Sequence, residues 1–280
     1  MKIYIPRIED NKERFGGGWT FLDNFIKGLN WAYLTNTEAE ADIIFIPGAT
    51  QIPKDYILPK DKKVVLRVDN ALRNSRNRNS GMTRMCQLAE RADLIIYQSQ
   101  WARNYLSPVI NKNKTKEKVI LNGADPHVFR PDGERIETIH NPVCLYLRSS
   151  NHENKGWEMA WYDYQSLFRN HPNAILYILG RFSEENIGYN FDFFNNERYE
   201  YKGFITDPEE LAKYYRSADV LYLPFLNDAC SNTYIEAKLS GIKNIVYHPS
   251  GGSPEISQSP VSDLTIEAMG KNYKNAFEDL

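Results

Sequence analysis

Cysteine is scarce in this chain: three thiols in 280 residues, at Cys86, Cys144 and Cys230. They are too few and too scattered for a disulfide framework or a Cys-x-x-Cys metal site, so a reducing compartment is expected. Long apolar runs are also missing. Nothing approaches the roughly 20 consecutive apolar residues of a membrane span. At the N-terminus only Ile3-Tyr4-Ile5 precedes Pro6, and charged residues follow, so there is no secretory hydrophobic region. An excess of one charge is lacking too. The formal charge is −2, which argues against life on a polyanion while leaving room for a local basic patch. Internal repeats and low-complexity tracts are absent. The expectation is a soluble cytoplasmic protein, with peripheral contact at the inner face of a membrane compatible with the sequence.

What is present is a regular succession of short apolar runs, most of them followed by a helical pattern. Ile3–Ile5, Ile43–Ile46, Val64–Leu66, Leu94–Tyr97 and Val119–Leu121 form one series. Val143–Leu147, Ile175–Leu179, Tyr199–Lys202, Val220–Leu223 and Asn244–Tyr247 form a second. Runs of this length without strict alternation predict parallel strands buried on both faces and joined by crossover helices. Two series predict two doubly wound α/β domains. Turn residues cluster at Asn122-Gly123, Asp125-Pro126, Pro131-Asp132-Gly133 and Asn141-Pro142, which places the seam between 122 and 141. The expected organisation is an N-terminal domain over 1–135, a second over 136–262 and a C-terminal amphipathic helix within 263–280. That helix is able to pack on either domain, including back on the first.

Three places combine chemistry with a strand-to-helix turn. Gly16-Gly17-Gly18 follows the first strand and opens a helix, where backbone N–H groups and the helix terminus suit an anion; without the Gly-x-Gly-x-x-Gly spacing, the segment also reads as a plain loop and helix start. Arg148 and Lys155 flank the turn after the first strand of the second series, at the carboxyl edge of a parallel sheet where ligands bind. Two cations there suit a diphosphate, or are simply solvated. Third, a strand ends at Pro224, a polar loop with Asp228 follows, and a helix begins near Ser231 with Glu236 on its second turn. Carboxylates so placed make charge-assisted bonds to vicinal hydroxyls; dipole compensation at a helix start is the plainer reading.

The order Gly-Gly, Arg148-x6-Lys155-Gly156, Gly203-Phe204, Asp228-x7-Glu236-Ala237, Gly251-Gly252-Ser253-Pro254-Glu255 resembles retaining glycosyltransferases of family 4. The resemblance covers nearly the whole chain and is more specific in its C-terminal half. It implies the GT-B fold, two Rossmann-like domains facing across a cleft, with a nucleotide-sugar donor site. Glu236 matches the family's ribose-binding acid. Asp228 stands where the family usually has a Glu on the donor sugar, one methylene and roughly 1.5 Å shorter in reach. Arg148 and Lys155 match the pair that stabilises the leaving diphosphate. The amides of Ser231, Asn232, Thr233 and of Gly16, Gly17 and Gly18 would cradle the same phosphates.

The chain also departs from the family. After the strand Val64–Leu66 many relatives place a histidine beside the sugar, whereas this sequence reads Arg67-Val68-Asp69-Asn70 and keeps its five histidines elsewhere. Asp69 reads as a replacement sugar or acceptor contact, or as a cap or turn residue. Arg73, Arg76, Arg78 and Arg84 read as a solvated face or as an anionic acceptor site for a phosphorylated lipid carrier, an acidic glycan or nucleic acid; the near-neutral net charge disfavours the last. No Asp-x-Asp occurs, so the metal-diphosphate clamp of the other main glycosyltransferase fold is missing, and neither a metal nor another cofactor is expected.

The resemblance therefore implies a metal-independent retaining hexosyltransferase acting from a nucleoside diphosphate-sugar on the hydroxyl of a glycan, lipid-linked or other acceptor. The alternatives are a nucleotide-sugar epimerase or DNA-base glucosyltransferase of the same fold, and a non-catalytic sugar-nucleotide binding module.

Overall fold

The computed structural model describes residues 1–6, 16–69, 78–148, 153–181 and 198–280. These form two compact units. Unit 1 comprises Met1–Gly123, Asp228–Asn232 and Gly251–Leu280; unit 2 comprises Ala124–Asn227 and Thr233–Ser250.

Unit 1 is a parallel sheet of β1 (Ile3–Tyr4), β2 (Ile43–Ile46), β3 (Lys63–Val68), β4 (Leu94–Tyr97) and β5 (Lys116–Val119), in that spatial order. Among the described residues, a parallel bridge between Ile3 and Leu34 extends the sheet beyond β1. Side chains alternate between the two faces, as strand geometry requires. Ile43, Phe45, Val65, Leu94 and Ile96 pack with helices α1 (Gly17–Leu29) and α8 (Ile266–Glu278). Ile44, Ile46, Val64, Leu66, Val68 and Ile95 pack with α2 (Arg78–Arg91) and α3 (Gln100–Ile110). Burial on both faces explains why these strands read as unbroken apolar runs. Helices α1 and α8 cross so closely that a Cβ on Gly270 would lie 2.1 Å from the carbonyl oxygen of Gly28. Around that crossing Phe21, Phe25, Phe45, Tyr273 and Phe277 form one aromatic cluster, with Phe25 and Phe45 centroids 4.7 Å apart.

Unit 2 is a second parallel sheet, in the spatial order β10 (Asn244–Tyr247), β9 (Val220–Leu223), β6 (Val143–Arg148), β7 (Ile175–Gly180), β8 (Tyr199–Gly203). Helices α4 (Trp157–Asn170), α5 (Pro208–Ser217) and α6 (Asn232–Leu239) connect its strands, and the short α7 (Ser253–Gln258) follows β10 in sequence. Asp207 caps α5 by accepting from the amide of Glu209 at 3.0 Å, with Pro208 in the first turn, the arrangement that satisfies a helix start. Trp157, Trp161 and Tyr164 of α4 are buried, as their spacing along one helix face predicts.

The structure moves two boundaries. The fifth strand is Lys116–Val119, not Val119–Leu121. It lies at the sheet edge, where polar residues are tolerated; Glu117 there accepts from Ser107, Asn111 and Arg103, while Ile120 is buried just after the strand ends. β3 runs on through Arg67 and Val68, so Arg67 is a buried strand residue and not part of a loop. Among the described residues no helix is long and apolar enough to cross a membrane.

Candidate functional site

In unit 2 the chain leaves β6 through α4 to β7 on one side, and reaches β9 on the other side through α5. The turns after β6 and β9 therefore diverge at the carboxyl edge of the sheet, the crevice where open α/β sheets bind ligands. Arg148 ends β6. It is buried, its Nε donates to the carbonyl of Arg181 at 3.0 Å, and burial lowers the pKa of its guanidinium. Lys155 is buried too, with Nζ 3.9 Å from the ring centroid of Phe225, which comes just after β9. Main-chain carbonyls of the turn after β6 are held from the β9 turn and from β6 itself. The amide of Leu226 donates to the carbonyl of Asn154 at 2.7 Å, and the hydroxyl of Tyr146 donates to the carbonyl of Lys155 at 3.0 Å. Gly156 is required here. Its φ is +63°, and a Cβ would lie 2.5 Å from the Pro224 carbonyl oxygen.

Glu236, on α6, is 7% exposed. Its Oε2 accepts from the hydroxyl of Tyr215 on α5 at 2.9 Å, and Thr233 hydrogen-bonds the same hydroxyl. Burial pushes the Glu236 carboxyl up to about 7, against a smaller opposing effect of the Tyr215 hydrogen bond. A side chain poised there changes charge within the physiological range, and its remaining oxygen suits a hydroxyl donor.

In unit 1 the same topological reversal falls at β1, which has the Leu34 bridge on one side and β2 on the other. The segment Gly16–Gly18 follows β1 in the chain and opens α1. Asn232 ties it to the Asp228–Asn232 segment: Nδ2 of Asn232 donates to the carbonyl of Gly17 at 3.1 Å, and Oδ1 accepts from Nδ2 of Asn122 at 2.8 Å. Asn122 lies at the centre of a buried network. Its Oδ1 accepts from Arg67 at 3.2 Å, and its Nδ2 reaches Gln98, which in turn donates to the carbonyl of Val68 at 2.9 Å. Arg67, 1% exposed, also donates to the carbonyl of Pro47 at 2.9 Å and stacks its guanidinium 3.5 Å from the Phe21 ring centroid.

The expected residues thus fall into two groups. Arg148, Lys155, Thr233 and Glu236 belong to unit 2; Gly16, Gly17, Gly18, Asp69, Asp228, Ser231 and Asn232 belong to unit 1. Asp228 is half-buried and its carbonyl accepts from the amide of Gly252 at 2.8 Å. Arg73 and Arg76 lie outside the described residues; Arg78 opens α2, but its side chain lies outside them as well. Arg84 binds the carbonyls of Pro53 and Lys54. Four residues escape the sequence reading: Tyr215, Asn122, Arg67 and Gln51. Gln51 offers the clearest missed signal, since it stands just past the β2 run in Pro47-Gly48-Ala49-Thr50-Gln51, a polar side chain at the carboxyl end of a buried strand.

Among solved structures, the chain is similar over its whole length to Anabaena Alr3699/HepE in complex with UDP and glucose, covering 90% of that chain at 14% identity with a TM-score of 0.68. It is similar to sucrose-phosphate synthase from Thermosynechococcus elongatus, covering 86% of this chain and 66% of that one at 16% identity and a TM-score of 0.60. It is also similar to the trehalose-6-phosphate synthase OtsA, with 93% and 84% coverage, 11% identity and a TM-score of 0.61. At these identities what is shared is the fold. No curated protein sequence matches the chain. Two parallel-sheet Rossmann-like halves of this kind define the GT-B class, and the protein is an enzyme of the glycosyltransferase class. More narrowly, residues 141–279 match the family model described as glycosyl transferases group 1.

Proposed function

We propose that the protein transfers a hexose from a nucleoside diphosphate-sugar to an acceptor hydroxyl, with retention of configuration and without a metal, and that UDP-glucose is a donor. The observation that carries this reading is the placement of buried Arg148 and Lys155 at the β6/β9 reversal, within the residues that match the group 1 model, with buried Glu236 in the same unit. The solved complexes of Alr3699/HepE with UDP and with UDP-glucose favour the uridine donor.

In this reading Arg148 and Lys155 stabilise the negative charge that develops on the departing diphosphate. Their desolvated setting strengthens that interaction, and the cations are already in place when charge develops. Glu236 accepts from the ribose hydroxyls, and Thr233 contributes an amide to the phosphates. From unit 1, the amides of Gly16–Gly18, Ser231 and Asn232 serve the phosphates, Asp228 the donor sugar, and Asp69 a sugar or acceptor. The bond between the anomeric carbon and the phosphate oxygen breaks on the face where the acceptor oxygen bonds. The acceptor proton passes to the leaving phosphate, so no side-chain base is needed. The acceptor is a glycan or another hydroxyl compound, lipid-linked acceptors reached by peripheral contact with a membrane included.

A thermal-shift panel of UDP, GDP, ADP, CDP and dTDP tests the donor, since a ligand at 100 times its Kd adds about 2.7 kcal/mol. UDP is expected to give the largest shift. Sugar release from UDP-glucose should persist in excess EDTA and fall at least a hundredfold in Arg148→Ala and Lys155→Ala. Full turnover in both variants would sink the assignment.

A further inference from the structure

Helix α1 starts without support of its own. Its N-cap, Gly16, sits at φ +105° and makes no side-chain cap bond. A glycine cap offers no side-chain oxygen to the first turn, and consecutive glycines lose more chain entropy on ordering than other residues. Two side-chain amides from distant parts of the chain hold this start instead. Nε2 of Gln51 donates to the carbonyl of Gly18 at 2.6 Å, and Nδ2 of Asn232 donates to the carbonyl of Gly17 at 3.1 Å. The bonds fall on successive peptide units, so together they fix the first turn in position and in rotation about the helix axis. Asn232 is itself anchored, its Oδ1 accepting from Nδ2 of Asn122 at 2.8 Å. Gln51 holds its place at a cost. It is 3% exposed, and with Nε2 committed to a carbonyl its Oε1 is buried with no hydrogen-bond partner among the described residues. A buried acceptor left unmatched is destabilising. Gly18 makes room for it, since a Cβ there would lie 3.2 Å from both Cδ and Nε2 of Gln51.

We propose that Gln51 is a positioning residue for the donor: with the side chain of Asn232 it holds the uncapped start of α1 so that the Gly17 and Gly18 amides are ordered before a phosphate arrives. This rests on the donor reading above, which gives those amides to the phosphates. The amides of Trp19 and Thr20 turn in to the carbonyl of Gly16 at 3.0 and 3.2 Å. Those of Gly17 and Gly18 precede the first intrahelical bond and point out of the helix end. Donors already in place bind an anion more strongly than donors that must be ordered on contact. Gln51 acts only through the backbone of Gly18 and touches no ligand. Its unmatched Oε1 is a loss of stability accepted for the sake of that bond.

Calorimetric titration and thermal unfolding of the full chain test this together. UDP, and uridine, which has no phosphate, are titrated into the wild type, Gln51→Met and Gly17→Pro. Methionine matches glutamine in length but has nothing to donate. Proline is tolerated at the first helical position and removes one N–H there, so Gly17→Pro tests the donor reading itself. Gln51→Met is expected to lower UDP affinity about tenfold, with uridine affinity within about twofold of wild type. Its Tm should equal or exceed that of the wild type, because the unmatched oxygen is gone. A merely structural glutamine gives the reverse: a lower Tm and an unchanged preference for UDP over uridine. That result, with UDP binding weakened about tenfold in Gly17→Pro, would overturn the positioning role and leave the donor reading intact. Unchanged UDP binding in Gly17→Pro would remove the glycine amides from the donor reading, and this inference with them. Asn232→Ala keeps the backbone amide that the donor reading uses and loses the other bond to the helix start. It is expected to act in the same direction on UDP and serves where Gln51→Met does not fold.

Discussion

The hydroxyl of Tyr215 donates to Oε2 of Glu236 at 2.9 Å, with both side chains buried in unit 2. The pair sets the charge of the proposed ribose contact. Burial raises the Glu236 pKa from an ordinary 4.5 to about 7, and the Tyr215 hydrogen bond pulls the other way because it favours the ionised form.

Stability should depend on pH through this one carboxyl. Between about pH 4.5 and 7 the folded chain keeps a proton that the unfolded chain has released, so the contribution of the protonated group is full below 4.5 and is lost as pH rises through 7. Glu236→Gln is expected to unfold with about 3 kcal/mol more free energy than wild type at pH 8, and with no difference near pH 4, by urea denaturation. UDP affinity should run in the opposite sense, rising through pH 7 as the carboxylate forms. In Tyr215→Phe that midpoint should move upward. An unmoved midpoint would show that the hydroxyl does not tune the acid.

Asn122 supports two segments at once, one from Arg67 and one from Asn232. Asn122→Ala strips a partner from a buried guanidinium and from the side chain that holds the Gly17 carbonyl. A loss of about 3 kcal/mol in unfolding free energy is expected, because buried groups are left unmatched and no equivalent apolar contact replaces them. Turnover per folded molecule should drop as well. Arg67→Met alone should cost less, since it removes the charge along with its needs.

Gly156→Ala tests the turn that presents Lys155. Positive φ and the Pro224 carbonyl both oppose a Cβ, so roughly 2 kcal/mol or more of stability should be lost. The more telling readout is kcat for UDP-glucose. It should fall more than the folded fraction does, because Lys155 is adjacent to the displaced backbone.

Much of this architecture is legible in the sequence, and the exceptions share a cause. Among the described residues, the interior strands of both sheets announce themselves as apolar runs because both of their faces are covered. β5 does not, because an edge strand with Lys116, Glu117 and Lys118 meets its needs through side-chain hydrogen bonds and partial solvation. Arg148, Lys155 and Glu236 are readable from their distances to a strand end or helix start. Arg67, Asn122 and Gln51 are not, because a buried polar residue is explained by partners far off in the chain: Asn122 and Arg67 are 55 residues apart, and Gln51 and Gly18 are 33 apart. Spacing along a sequence holds no record of such partners.

The membership of unit 1 has a consequence for how the chain is made. Phe21, Phe25 and Phe45 leave the ribosome before the strands of unit 2, but Tyr273 and Phe277, which complete their cluster, leave it after them. Unit 2, by contrast, has all its described strands once residue 247 has emerged. The unit whose strands come first in the chain is therefore completed after the other, and it must keep an aromatic surface unfilled until α8 emerges. A release from the ribosome that stops short of α8 would leave that surface permanently open, which makes the C-terminal helix the step that commits the N-terminal sheet to its final form.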